Sequence, residues 1–342
     1  MLTGVITTIS APTNAVRQLT RTLVARGSRL IVAGDRKGPA GYDLSGTIFL
    51  SLHDQLEGPF ALARELPTGH YCRKNIAYLE AIRGGATCIY ETDDDNAPLP
   101  SWIPRDEHLS DVRVVSGDLQ GSSRSGRWVN VYRYFSDALI WPRGLPLDEI
   151  HGPVPPVGQG GRARRAPVQQ GLVNGSPDVD AIWRLTMDRP FEFEANPGVY
   201  LEPGNWCPFN TQSTWWWPIS YPLLYVPSFC SFRMCDIWKS FVAQRCLWAL
   251  DLGVVFHAPE VIQERNPHDL MRDFRDEIPG YSRNRELADV LAGAPLAAGE
   301  ENVAANLRVC YDRLVASGFL PAKEMELVDA WLGDLSRIEG RT

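Results

Sequence analysis

The stretch Ile89-Tyr90-Glu91-Thr92-Asp93-Asp94-Asp95-Asn96 decides how this chain is read. Just upstream, Arg73 to Ile82 has the pattern of a short helix. Ile76, Leu79 and Ile82 recur at helical spacing, and Gly84-Gly85 stops the run. Thr87-Cys88-Ile89-Tyr90 then reads as a buried strand with β-branched and aromatic side chains. That strand runs straight into three carboxylates. On an extended backbone Asp93 and Asp95 point to one side and Asp94 to the other. Three anions at a strand end repel one another unless a cation sits among them. Hard oxygen ligands suit Mg²⁺ or Mn²⁺, which in turn hold phosphate oxygens. A bare acidic triplet is more often a solvated turn, so the surroundings have to separate this one from that class.

Working outward, Gly4 to Ile9 is a first strand, Asn14 to Arg26 a helix, and Arg29 to Ala33 a second strand. This βαβ opening predicts a parallel sheet covered by helices. The second strand ends in Gly34-Asp35-Arg36-Lys37-Gly38-Pro39. Ligands of open α/β sheets gather at the carboxyl ends of strands, so Asp35 is placed to accept from a base or ribose and Lys37 to meet a phosphate. As a plain turn the same loop needs no ligand. Ile48 to Leu52 is a third strand. Arg73, Lys74 and Asn75 open the helix before the triplet, and two cations there oppose the helix dipole unless an anion also binds.

Further on, Trp128 to Tyr134 reads as a strand and residues 151–168 as a Pro-, Gly- and Arg-rich linker with solvated Arg162, Arg164 and Arg165. Trp215-Trp216-Trp217 is either core or a sugar-stacking wall, with core the commoner use. Asp236 stands at the start of a helix running through Leu250, where a carboxylate is stabilised as a cap or dipole partner. From Arg283 onward the pattern is helical. The expected organisation is therefore a domain over 1–282 and a C-terminal helical appendage over 283–342.

Composition limits the function classes. With 342 residues, 44% apolar and 22% charged, the chain is an ordinary globular protein able to bury a sizeable core. A net charge of −7 gives no general affinity for nucleic acid or anionic membranes. No apolar run is long enough to span a bilayer, and the first residues lack the pattern of a signal peptide. Seven scattered cysteines with no CxxC pair point to reduced thiols and a cytoplasmic location, and against a zinc site.

Several blocks resemble the STELLO family of glycosyltransferase-like proteins: IFLSLHDQ, YCRKNIAYLEAIRGGATCIYETDDDN, WPRGLPLDEI, QQGLVNGSPDVDAIWRLT and CDIWKSFVAQRCLW. A weaker likeness, in the DDD, PRGLPLDE and GxPDxDA segments and in Asp236-x-Trp238, runs to the reversibly glycosylated polypeptides, which are UDP-arabinopyranose mutases. The resemblance implies an α/β, GT-A-like fold: a Rossmann-type, mostly parallel twisted sheet flanked by helices. By this likeness Asp93, Asp94 and Asp95 match a metal motif for Mn²⁺ or Mg²⁺. Asp35, Lys37, Arg73, Lys74 and Asn75, with Gln244 and Arg245, are counted as donor-binding. Asp236 falls where such enzymes carry the acid facing the acceptor, and Asp178 and Asp180 are further acidic candidates. Arg143 matters most if the chemistry is that of a mutase.

The residues support transfer chemistry on their own account. Breaking a sugar–phosphate bond requires stabilising a departing diphosphate, and a metal held by Asp93 and Asp95 beside Arg73 or Lys74 supplies that. Inversion at the anomeric carbon also needs a base within hydrogen-bond reach of the acceptor, for which Asp236 is the first choice. The expected function is a metal-dependent glycosyltransferase of polysaccharide biosynthesis. Its partners would be a nucleotide-sugar, a UDP-sugar first among them, and a glycan acceptor. The alternatives are a nucleotide-sugar pyranose/furanose mutase and a non-catalytic nucleotide-sugar-binding protein.

Overall fold

The structure is a computed structural model, and it describes residues 1–117, 126–159, 163–264 and 269–340. Its parallel half is built as the sequence pattern requires. Strands β1 (Leu2–Thr7), β2 (Arg29–Ala33), β3 (Thr47–Leu50) and β4 (Cys88–Thr92) lie in the order β3-β2-β1-β4, every pair parallel. Val5 and Ile31 are fully buried and in register with each other, as expected of a parallel strand covered on both faces. Helix α1 (Asn14–Val24) crosses from β1 to β2, capped by Thr13, whose hydroxyl accepts from Val16 N at 3.1 Å. Short helices α2 (Leu52–Glu57) and α3 (Leu62–Glu65) follow β3, and α4 (Lys74–Arg83) returns the chain to β4.

Beyond β4 the sheet becomes mixed. Ser213–Trp216 pairs antiparallel with β4, then come Val168–Asn174, Val254–Gln263, Val199–Leu201 and Arg113–Val115. Helices flank this sheet: α5 (Ala181–Met187) and α6 (Cys235–Trp248), then α7 (Leu270–Ala292), α8 (Val303–Ala316) and α9 (Glu324–Glu339). The architecture is α/β and GT-A-like, as the resemblance implies, and C-terminal helices are present, as the sequence pattern from Arg283 onward predicts. Residue 283, where the sequence pattern begins its appendage, lies inside α7, and α8 and α9 bury Leu307, Cys310 and Trp331 in the same core cluster as Val5 and Ile31. Among the described residues no helix is long and apolar enough to cross a membrane.

Two local expectations are corrected, and one alternative is decided in favour of the commoner reading. Trp128 to Tyr134 is not one strand: a two-residue strand, Arg127–Trp128, leads into a 3₁₀ turn, Val131–Tyr134. The tryptophan run is core rather than a sugar wall. Trp215 packs on Tyr90 and Trp102, and Trp216 Nε1 donates to Glu91 at 2.6 Å. In the supposed linker, Arg164 and Arg165 pair with His108–Leu109 and form ion pairs with Glu202, Glu107 and Glu300, while Arg162 lies outside the described residues.

Candidate active site

The carboxyl ends of β1, β2 and β4 open on a cleft of about 460 Å³. One wall carries Asp35, Lys37 and the triplet Asp93, Asp94 and Asp95; the other carries Arg143, Asp178, Arg184, Phe232, Arg233 and Asp236. This is where the topology of a parallel α/β sheet places a ligand, because strand ends and loops converge there with unpaired polar groups.

The triplet is a turn rather than a continuation of β4, so simple strand alternation does not hold. Each aspartate finds a different partner. Asp93 Oδ1 accepts from Tyr71 Oη at 2.6 Å and from Lys74 Nζ at 3.1 Å. Asp94 accepts from the Thr8 hydroxyl at the end of β1. Asp95 Oδ2 accepts from Gln263 Nε2 at 2.9 Å, and its Oδ1 is buried with no partner. Burial, added to the charges of Asp93 and Asp94, pushes Asp95 up to about 7. Burial raises Asp94 as well, against the lowering effect of its Thr8 bond. Three carboxylates with one ammonium nearby are short of positive charge.

That deficit and the orphaned Asp95 oxygen fit a hard divalent cation. Among the described residues no three His, Cys, Asp or Glu side chains converge as a complete ligand set. An ion here would take one or two carboxylates and fill its shell with phosphate oxygens, as Mg²⁺ commonly does. On the same wall Asp35 is buried, its oxygens accepting from Arg36 N at 2.7 Å and His70 N at 3.0 Å.

On the opposite wall both carboxylates are paired. Arg143 is buried between two aspartates. Its Nε and Nη2 meet Asp178 at 2.8 and 2.7 Å, and its Nη1 and Nη2 meet Asp236 at 3.0 and 2.8 Å. Burial alone would raise Asp178, but the adjacent Arg143 outweighs it and holds the carboxyl below its usual range. Asp236 sits in the first turn of α6, where Met234 is the N-cap and makes no side-chain capping bond. The Asp236 carboxylate turns to Arg143. Asp236 Oδ1 also accepts from Ile237 N at 3.0 Å, which leaves Oδ2 with capacity to accept from a hydroxyl in the cleft.

Other expected site residues are elsewhere. Arg73 is buried, donating to Gln55 Oε1 at 2.9 Å and Ala63 O at 2.7 Å. Asn75 pairs with both backbone groups of Val226. Gln244 bonds Cys207 N and Ser240 O, and Arg245 bonds Leu291 O and Ala294 O. None of these four lines the cleft, so their donor-contact reading is corrected to a structural one: their polar atoms serve the loops that the helices must hold. Lys74 is fully buried and reaches the triplet from behind, through Asp93 and Thr92 O. Asp180 caps α5, accepting from Trp183 N at 2.8 Å and Trp141 Nε1 at 2.6 Å, outside the cleft lining.

Residues 233–341 match the family model described as STELLO glycosyltransferases. Two Arabidopsis thaliana proteins named probable glycosyltransferase STELLO2 and probable glycosyltransferase STELLO1 are similar to this chain. Identity is 30% and 27%, over 75% and 97% of the chain. The chain belongs to the STELLO-type, glycosyltransferase-like family. It spans 35% and 44% of the length of those two relatives. In this STELLO-type chain the matched region begins at Arg233, so it includes Asp236 and all of α6 to α9. Arg184, Tyr71, Thr8 and Gln263 join the site without a sequence signal of their own. Arg233 alone had a hint, since it stands three residues before Asp236.

Proposed function

We propose that this chain is a divalent-metal-dependent glycosyltransferase that takes a nucleotide-diphosphate-sugar, a UDP-sugar first, and passes the sugar to a hydroxyl of a glycan acceptor. The observation that carries this reading is the pairing of the two cleft walls. A charge-deficient aspartate triplet and an arginine-clamped pair of carboxylates line one cleft of about 460 Å³. Asp93 and Asp95 would hold Mn²⁺ or Mg²⁺, which when bound supplies Lewis-acid stabilisation of the diphosphate. Lys74 fixes Asp93, and Tyr71 fixes the same oxygen, so this carboxylate is oriented before any ligand arrives. Asp35 accepts from the base or ribose, and Lys37 adds positive charge on the phosphate side. Asp236 Oδ2 accepts the acceptor hydroxyl and orients it, with Arg143 keeping the carboxylate in place. A reducing, cytoplasmic setting belongs to this reading, supported by seven free cysteines, six of them buried.

A mutase would use the same donor wall and need no acceptor. Arg143 lies in the cleft as that alternative asks, but its Nε, Nη1 and Nη2 are all engaged, which makes it a clamp. The deciding experiment is a thermal-shift screen of UDP, UDP-glucose, UDP-galactose and UDP-arabinopyranose with and without Mn²⁺, followed by product analysis. At 100 times its dissociation constant a ligand adds about 2.7 kcal/mol of stability. Stabilisation that requires both Mn²⁺ and nucleotide supports the reading. Absence of any nucleotide effect overturns it, and a ring isomer formed without acceptor selects the mutase.

A further inference from the structure

Glu277 is a fully buried carboxylate on α7, and it does not line the cleft. Its Oε1 accepts from Arg233 Nε at 2.9 Å and Nη2 at 2.8 Å. Its Oε2 accepts from Ala181 N at 2.7 Å and Tyr281 Oη at 2.5 Å. Both oxygens are therefore used to capacity. Two of these partners belong to segments that carry cleft residues: Ala181 follows Asp178 by three positions, and Arg233 precedes Asp236 by three. Arg233 lines the cleft itself. Its carbonyl accepts from Arg143 Nη1, and its Nη2 lies 4.0 Å from Asp178 Oδ1. The guanidinium is thus suspended between a buried anion behind and the clamped carboxylates in front. A flexible, rotamer-rich side chain is fixed in one direction before a ligand binds, at the cost of burying Glu277.

We propose that Arg233 contacts the sugar portion of the bound nucleotide-sugar, and that Glu277 is the positioning residue that aims it. This rests on the nucleotide-sugar reading above. The contacts of Arg233 run to Arg143, Asp178 and Glu277 and not to the triplet or Asp35, which assigns it to the sugar rather than to the nucleotide end. An arginine fork held from behind presents N–H donors to sugar hydroxyl oxygens with little entropy left to lose.

The test compares UDP with the UDP-sugar that stabilises the wild type best among UDP-glucose, UDP-galactose and UDP-arabinopyranose, all by calorimetry in Mn²⁺. Glu277→Gln and Arg233→Ala should each keep UDP affinity within about twofold while losing roughly tenfold in the extra affinity conferred by the sugar, and the double variant should lose no more than either single one. A parallel fall in UDP and UDP-sugar affinity with a lower melting temperature makes Glu277 merely structural and overturns the proposal. Additive losses in the double variant, or an intact sugar increment, also overturn it. Should Glu277→Gln fail to fold, Arg233→Ala decides alone, since an unchanged sugar increment there removes the contact. A wild type that binds no UDP-sugar defeats the nucleotide-sugar reading itself, whereas binding that the variants leave untouched defeats only this inference.

Discussion

The two walls of the cleft solve the same electrostatic problem in opposite ways. On the β4 side, Asp93, Asp94 and Asp95 lie by one buried ammonium, and Asp94 and Asp95 are pushed upward by burial and by the charge of Asp93. On the α6 side, Asp178 and Asp236 share one buried guanidinium that bonds both carboxylates in a fork, and Asp178 is held low. The first wall keeps carboxylates in excess of cations, while the two carboxylates of the second are paired within it. On the function proposed above, the first would recruit charge where a diphosphate departs and the second would keep rigid geometry where a hydroxyl is oriented.

The sharpest way to break this contrast is to remove the guanidinium. Arg143→Ala leaves two buried carboxylates facing each other, and loss of one partner of a buried pair costs about 3–5 kcal/mol. Urea unfolding should show that loss. Arg143→Lys should recover only part of it, because an ammonium cannot fork to both aspartates. A near-wild-type stability for Arg143→Ala would mean the wall is not organised by charge.

Next in size is Asp236→Asn. The amide keeps an acceptor oxygen in the first turn of α6 but offers no carboxylate to a hydroxyl. Transfer should fall by at least ~10²-fold with UDP affinity little changed, and the melting temperature should drop less than in Arg143→Ala, because Asp178 still pairs with Arg143. Turnover that survives within a few-fold would remove Asp236 from the acceptor role.

On the opposite wall, Asp95→Asn should abolish the joint effect of Mn²⁺ and UDP, about 2.7 kcal/mol under saturating conditions. The ligand-free protein should not be weakened, because the variant removes a poorly paired buried charge. A thermal shift by Mn²⁺ and UDP that persists in this variant would place the metal elsewhere or nowhere.

The smallest effect concerns His70 beside the nucleotide end. Burial lowers its basicity, partly offset by Asp35, and Nδ1 accepts from Cys72 N at 3.1 Å. The folded state therefore favours the neutral ring. Its contribution is fully present above the unfolded value near 6.5 and is lost as pH falls below it. Asparagine also accepts at a cap position. Between pH 7.5 and 5.5 the melting temperature of the wild type should fall more than that of His70→Asn, and equal slopes would assign the acid sensitivity to other groups.

Much of the donor wall was legible because it is local. A strand running into carboxylates, a βαβ opening and a turn after the second strand are contiguous patterns, and the sheet topology brings their ends together. Asp35, Lys37 and the triplet all reach the cleft for that reason. The second wall was only partly legible. Asp236, Asp178 and Arg143 were candidates, but nothing in their spacing said that one arginine would clamp both acids. Arg73, Asn75, Gln244 and Arg245 looked like ligand contacts because they stand beside motif residues. On a helix, however, neighbours in sequence point in different directions, and these four turn inward.

By itself, then, the sequence determined the α/β class, the parallel opening of the sheet and the place of the acidic triplet at a strand end. Periodicity and strand order are short-range properties that survive without knowledge of packing. Only the tertiary structure decided which charges neutralise one another: Lys74 with Asp93, Lys239 with Glu91, Arg143 with Asp178 and Asp236, and Arg233 with Glu277. Those pairings join residues far apart in the chain. They are set by burial, which makes an unpaired charge too costly to keep, and burial exists only once the helices have packed on the sheet.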